Sequence, residues 1–433
     1  MPSKSRRGAP TKATIRAYQV GFGDCFLLSF HYPAMDRHVL IDFGTRKLPK
    51  GMPARHMQQI AEDIRKRCNG KLHAVVATHR HQDHISGFAT AAGGKGPGDV
   101  IASCNPDRVV QPWTEHPDAA IDAKTAPLTR SLRAMRLFAA SAVAQAAELR
   151  GVSSDLRSEL AFTGENNVQN PSAVRNLQAM GRARRGVFVH AGSPSELEAV
   201  LPGVKVHVLG PPTLEQSAAI RKERRQDPEF WGRQKQLLAA REAFWNLQLR
   251  TADSAKPTRR LFPRAPTAGN RIYARWIRRQ LHEVRGENLL ELVRILDAAM
   301  NNTSVILLFE AGNKLLLFPG DAQIENWSFA LSQKPYEKLL RGVHVYKVGH
   351  HGSTNATPRL TLWGRFANAG AASKRARLQT VLSTLPGVFP GKSADTAVPQ
   401  PNLMRALRRE SALLDTEGVA RGELSSAIEI ALA

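Results

Sequence analysis

Four potential metal ligands lie within six residues of the sequence, directly after an apolar run. They are His79, His81, Asp83 and His84, in the segment "ATHRHQDHISG" at residues 77–87. The preceding "HAVVAT" predicts a short buried strand, and the following "HISGFATAAGG" predicts the start of a helix that ends at glycines. These four side chains therefore follow the carboxyl end of a strand, which is where open α/β sheets bind other molecules. A solvated, histidine-rich loop is the alternative.

The spacing of these ligands also predicts how they divide between metal ions. In an extended loop, alternate side chains point the same way. We therefore expect His79 and His81 to converge on one ion, and Asp83 and His84 to turn towards a second. Imidazole together with carboxylate suits zinc, and also manganese or iron.

Further metal-type residues follow two other apolar runs. Asp321 ends "LLLFPGD", and His350 and His351 follow "VYKVG". A single aspartate after a strand can instead be the N-cap of the next helix. Three such clusters, each at a predicted strand end, favour one metal centre assembled from distant parts of the chain.

Charge and cysteine content limit the partners and the compartment. The net charge of +24 favours a polyanionic partner, most often nucleic acid, although a genome that prefers arginine would also produce it. The three cysteines lie far apart, which fits a reducing cytoplasm. No apolar segment follows the basic N-terminus, and no run of about 18 apolar residues exists, so we expect a cytoplasmic protein without a membrane span.

The excess of basic residues is concentrated in residues 213–286, which contain 17 Lys or Arg and 7 Asp or Glu. Aromatic side chains are interleaved with this charge, a pattern that suits phosphate contacts and stacking on exposed bases. A helical insertion that packs its aromatic residues onto the core is the equal alternative. The candidate nucleic-acid contacts are Arg221, Arg224, Arg225, Arg275, Trp276 and Arg278.

The order of predicted elements indicates an α/β fold, because strands occur in both halves of the chain with helices between them. Strands are predicted at residues 14–31, 37–44 and 107–113, and in "GVFVH", "VKVHVLGPP", "LQTVLST" and "SAIEIALA". A hairpin with its turn at Gly312 and Asn313 is predicted in "TSVILLFEAGNKLLLFPGD".

Seven segments of the chain resemble the metallo-β-lactamase superfamily, and most closely its ComEC-like hydrolase domains. They are "VGFGDCFLL", "LIDFG", "THRHQDHISG", "VHVLGPP", "NNTSVILLF", "LLFPGDA" and "KVGHHGST". The resemblance implies a basic tail at residues 1–13 and one hydrolase domain at residues 14–433. Insertions at about 115–185 and 213–286 match nothing in the family.

The resemblance also implies an αββα sandwich that holds two divalent ions, Zn²⁺ or Mn²⁺. His79 and His81 would bind the first ion, Asp83, His84 and His351 the second, and Asp321 would bridge them. His350, Asp24 and Asp42 would lie beside the ligands. Many members have a further metal-binding histidine where this chain has Asn301 and Asn302 in "MNNTS", so we expect the first ion to bind more weakly.

The activity implied is hydrolysis by a metal-activated water, with Asp83, His84 and Asp321 as the catalytic residues. No G-x-S-x-G motif or P-loop is present to support a different chemistry. Cleavage of phosphodiester bonds in DNA is the leading expectation. A small-molecule hydrolase of the lactonase or cyclic-nucleotide phosphodiesterase type, and a weakly active nucleic-acid-binding regulator, are the alternatives.

Overall fold

Two mixed β-sheets form the centre of the fold. The computed structural model describes residues 8–116, 170–213, 216, 300–373, 376–388, 397–420 and 422–432. Among these residues, the first sheet contains β1 (Lys12–Tyr18), β2 (Cys25–His31), β3 (Arg37–Phe43), β4 (Ala74–Val76), β5 (Arg108–Pro112), β6 (Gly186–Val189) and β13 (Ser425–Ala431). The second contains β7 (Val204–Gly210), β8 (Ile306–Ala311), β9 (Lys314–Phe318), β10 (Val345–Lys347), β11 (Gln379–Leu382) and β12 (Ala412–Asp415).

Each sheet is antiparallel on one side and parallel on the other. The strand orders are β13-β1-β2-β3-β4-β5-β6 and β12-β11-β10-β9-β8-β7. Strands β3 to β6 run parallel to one another, and so do strands β9 to β12. The carboxyl ends of the parallel strands therefore share one edge in each sheet, and the loops that follow them meet there.

The two sheets pack face to face through an apolar core. Period-2 patterning produces it: in β7, Val204, Val206 and Val208 are buried, whereas the alternating His207 is half-exposed and bonds to Glu310 at 2.8 Å. In this core the ring centroids of Phe309 and Phe318 lie 5.9 Å apart, edge to face.

Helices cover the outer face of each sheet. The described helices are α1 (His56–Arg67), α2 (Gln82–Ile85), α3 (Pro97–Ser103), α4 (Pro171–Met180), α5 (Ile324–Ser332), α6 (Lys334–Arg341) and α7 (Pro401–Glu410). Helices α1, α3 and α4 pack on the first sheet, and α5, α6 and α7 on the second. None of the described helices has the length and apolar character needed to cross a membrane.

The α/β class and the predicted strands in the described residues are confirmed, with two differences. The segment after His84 is not a helix that ends at glycines: α2 begins at Gln82 and ends at Ile85, and a short 3-10 turn follows. A Cβ on Gly87 would lie 2.6 Å from the Phe43 ring, so this turn lies directly against β3 and has room only for glycine at this position. Strand β12, a partly exposed strand at the edge of the second sheet, was not predicted.

Some of the predicted segments have different limits in the structure, and others lie partly outside the described residues. Strand β1 begins at Lys12, inside the segment assigned to the tail. Helix α4 belongs to the first insertion, whose residues 117–169 lie outside the described residues. Residues 214–215 and 217–286 of the second insertion also lie outside them.

We predict that Leu307→Ala lowers the free energy of unfolding by about 2–5 kcal/mol, because it leaves a cavity in the core between the sheets. Leu360→Ala is the matched control, since Leu360 is 87% exposed; its effect should stay within about 0.5 kcal/mol. Chemical denaturation followed by circular dichroism measures both. Equal losses in the two variants would contradict this assignment of the core.

Candidate metal centre

Three loops at the carboxyl ends of parallel strands bring four potential metal ligands together. Asp83 and His84 lie in α2, which follows β4. Asp321 follows β9, and His351 follows β10. One ligand atom from each of these residues lies within 4.8 Å of those of the other three. We call Asp83, His84, Asp321 and His351 the four-ligand cluster; all four are buried.

The donor atoms of this cluster suit a metal ion. His84 Nε2 lies 2.9 Å from Asp321 Oδ2, and His351 Nε2 lies 3.0 Å from Asp83 Oδ2. In a tetrahedral zinc site, two donor atoms that each lie about 2.1 Å from the ion are roughly 3.4 Å apart. Small shifts of these side chains would therefore make room for a zinc ion. In the described structure, Asp83 Oδ1 is buried and accepts no hydrogen bond, which is costly unless a cation binds it. The cluster could therefore hold a metal ion.

Asp42, at the end of β3, orients His84. Its Oδ2 accepts a hydrogen bond from His84 Nδ1 at 2.8 Å. The backbone N–H and the hydroxyl of Thr78 also donate to this carboxylate, each at 2.7 Å. With Nδ1 engaged in this way, Nε2 of His84 is the nitrogen left to bind a metal ion.

The Ser383 carbonyl, directly after β11, orients His351 in the same manner. It accepts a hydrogen bond from His351 Nδ1 at 3.1 Å, which leaves Nε2 facing Asp83. The backbone of His350 and His351 is left-handed, with φ of 45° and 51°. Such φ values are strained for residues other than glycine and are concentrated at functional sites.

His79 and His81 lie beside the four-ligand cluster and face each other. His79 Nε2 and His81 Nδ1 are 3.0 Å apart, and the rings of His79 and His84 have centroids 4.2 Å apart. Among the described residues, neither belongs to a group of three or more ligands. The structure thus places the two predicted ligands of the first ion together, at one side of the cluster.

Asp24 and Lys347 form a buried ion pair next to the cluster. The Asp24 carboxylate pairs with the Lys347 ammonium, which also lies 3.5 Å from Asp321 Oδ1. Asp24, Asp42 and His84 make a second group with metal-ligand spacing. Sequence reasoning missed Lys347; the available signal was a charged residue inside the apolar run "VHVYKVG".

The remaining candidates have different surroundings. The His350 side chain is 23% exposed, and its Nε2 lies 4.0 Å from Asp321 Oδ2. Asn301 is buried, whereas Asn302 donates to Glu325 at 3.0 Å. The predicted nucleic-acid contacts Arg221, Arg224, Arg225, Arg275, Trp276 and Arg278 lie outside the described residues.

Charges within the cluster shift the pKa values of its members. Burial would lower the pKa of His84, but Asp321, Asp42 and Asp24 together raise it well above its usual value. Burial alone would raise the pKa of Asp321, yet His84, His350 and Lys347 hold it well below its usual range. The pKa of His79 is lowered by burial first and by His84 and His81 next.

Comparisons with protein-family models and with curated proteins give no match to this sequence. The interpretation of the site therefore depends on its own geometry and chemistry.

We predict that Asp42→Asn weakens Zn²⁺ binding about 10- to 100-fold, because an amide cannot accept from His84 and from both Thr78 donors as the carboxylate does. Isothermal titration calorimetry on metal-depleted protein measures the change. Asp36→Asn is the control, since Asp36 is exposed and pairs with His31. Unchanged affinity in Asp42→Asn would contradict the role of Asp42 in orienting His84 for the ion.

Proposed function

We propose that this chain is a metal-dependent hydrolase with the αββα arrangement of the metallo-β-lactamase superfamily. The observation that carries the proposal is the four-ligand cluster, in which two aspartates and two histidines from loops of both sheets each place a donor atom within 4.8 Å of the others. One oxygen of this cluster, Asp83 Oδ1, is buried without a hydrogen bond in the described structure. The two sheets with helices on their outer faces support the same assignment.

Asp83, His84, Asp321 and His351 would hold the ion, which we propose to be Zn²⁺ or Mn²⁺. A bound divalent ion lowers the pKa of water from about 15.7 to roughly 7 and polarises a phosphoryl or carbonyl oxygen. Asp83 would orient the attacking water as well as bind the ion. Asp42 and the Ser383 carbonyl keep the two imidazoles in the orientation that the ion requires.

His350 is the site residue best placed to contact the substrate. Its side chain is partly exposed, and its backbone N–H donates to Asp321 Oδ1 at 2.9 Å, so its position is tied to the ligand. Arg80, next to His79 in the sequence, pairs with Glu115 at 2.8 Å and remains 22% exposed. A partly exposed guanidinium beside the centre suits an anionic substrate.

We propose a phosphodiester substrate, with DNA as the leading candidate. The net charge of +24 and the basic residues 213–286 support it, since a polyanion is the partner that such charge attracts. A small-molecule substrate of the lactonase or cyclic-nucleotide type is the second candidate, although the cavity lined by His79, Arg80, Gln111 and Glu115 holds only about 10 Å³.

We predict that Asp83→Ala and His84→Ala each abolish hydrolysis while the circular dichroism spectrum stays native-like, because the ligands lie in loops outside the sheet cores. Metal-depleted protein supplied with Zn²⁺ or Mn²⁺ is tested on labelled single-stranded and duplex DNA, RNA, and chromogenic lactone and phosphodiester substrates. Asp36→Asn is the control. Full activity in either ligand variant would exclude the cluster as the catalytic centre.

A second prediction concerns nucleic-acid binding. If Arg221, Arg224 and Arg225 contact phosphates, neutralising all three should flatten the slope of log affinity against log salt by roughly two to three on duplex DNA. Trp276→Ala should instead weaken single-strand binding by about 1–3 kcal/mol with little change of slope, because stacking releases few ions. Fluorescence anisotropy over a salt series measures both. If the wild-type protein binds no nucleic acid at low salt, the proposal of a DNA substrate fails and the small-molecule hydrolase replaces it.

A further inference from the structure

Lys347 is a fully charged side chain held inside the fold. It ends β10, and its residue is 2% exposed. Its ammonium pairs with Asp24, donates to the Gly320 carbonyl at 3.1 Å, lies 3.5 Å from Asp321 Oδ1, and stands 5.8 Å from the centroid of the Phe26 ring. Three oxygen atoms from both sheets therefore surround this one cation.

The Lys347 ammonium pairs with one of the two groups of residues that have metal-ligand spacing, and this distinguishes the two groups. The group formed by Asp24, Asp42 and His84 already has its cation, because Asp24 pairs with Lys347. Asp42 is satisfied by the two Thr78 donors and by His84. The four-ligand cluster contains the carboxylates of Asp83 and Asp321, whose combined charge one divalent ion balances.

The orientation of Asp321 also indicates that the four-ligand cluster holds one divalent ion. Its Oδ1 accepts the His350 backbone N–H at 2.9 Å and faces Lys347, whereas its Oδ2 faces His84 Nε2 at 2.9 Å. Only one of its two oxygens is therefore directed at the four-ligand cluster. An aspartate that bridges two ions through both of its oxygens would need the other one as well.

We propose that Lys347 is a fixed second cation of this centre: the four-ligand cluster takes one divalent ion, and the ammonium faces Asp321 Oδ1, the oxygen that a second, bridged ion would need. The inference rests on the proposed metal site and departs from the two ions that the family resemblance implies. Lys347 is on this view a positioning residue, which holds Asp321 Oδ1 and leaves Oδ2 for the ion.

The test counts ions in the full chain. Metal-depleted wild type, Lys347→Met and the charge-balanced Lys347→Met/Asp24→Asn are each titrated with Mn²⁺, and free Mn²⁺ is followed by electron paramagnetic resonance. Mn²⁺ is the appropriate probe because the atoms around the ammonium are oxygens. We expect one equivalent in the wild type and two in Lys347→Met, where Asp24 and Asp321 lose their cation. The double variant should return to one.

Two equivalents in the wild type would overturn the inference, and so would one equivalent in a folded Lys347→Met. Circular dichroism establishes folding; if Lys347→Met does not fold, the wild-type count decides alone, with two equivalents against and one in favour. A wild type that binds neither Mn²⁺ nor Zn²⁺ is a different result, because it removes the proposed function itself. The number of bound ions thus distinguishes failure of this inference from failure of the proposed function, without an activity measurement.

Discussion

Four aspartates buried where the two sheets meet impose the strongest constraint on this structure. Asp24, Asp42, Asp83 and Asp321 are each 2% exposed or less, and an uncompensated buried carboxylate costs several kcal/mol. Their partners come from distant elements: Lys347 from β10, Thr78 from the end of β4, and His84 from α2. These contacts therefore contribute to the relative position of the strand ends, beside the apolar core that packs the sheets.

The backbone makes this concentration of charge sterically possible. A Cβ on Gly44 would lie 2.4 Å from the Asp83 carbonyl carbon, so only glycine lets the turn after β3 approach α2 so closely. The same approach lets the Asp24 N–H donate to the Asp83 carbonyl at 2.9 Å. The "GFGD" and "DFG" turns thus lie directly against α2 and position its metal ligands. The turn-forming residues alone do not indicate this role.

Local sequence patterns predicted the parts of the site that depend on local structure. Apolar runs located the strands, and the polar residues directly after them made His84, Asp321 and His351 the predicted neighbours at strand ends. The contact between Asp83 and His351 joins residues 268 positions apart, and no local pattern specifies which oxygen meets which nitrogen. Lys347 was missed because a lysine in a three-residue strand is usually solvated, and here only the ion pair with Asp24 makes its burial possible.

The distance between the ligands along the chain links ion binding to folding. Asp83 and His84 belong to the first sheet's loops, whereas Asp321 and His351 belong to the second's. The four donor atoms come within 4.8 Å of one another only when both sheets have packed. An ion that binds the folded state alone stabilises it by about 2.7 kcal/mol at 100 times its dissociation constant. The residues that we assign to catalysis therefore also join the two sheets, and a change at any ligand alters stability through the ion as well as through packing.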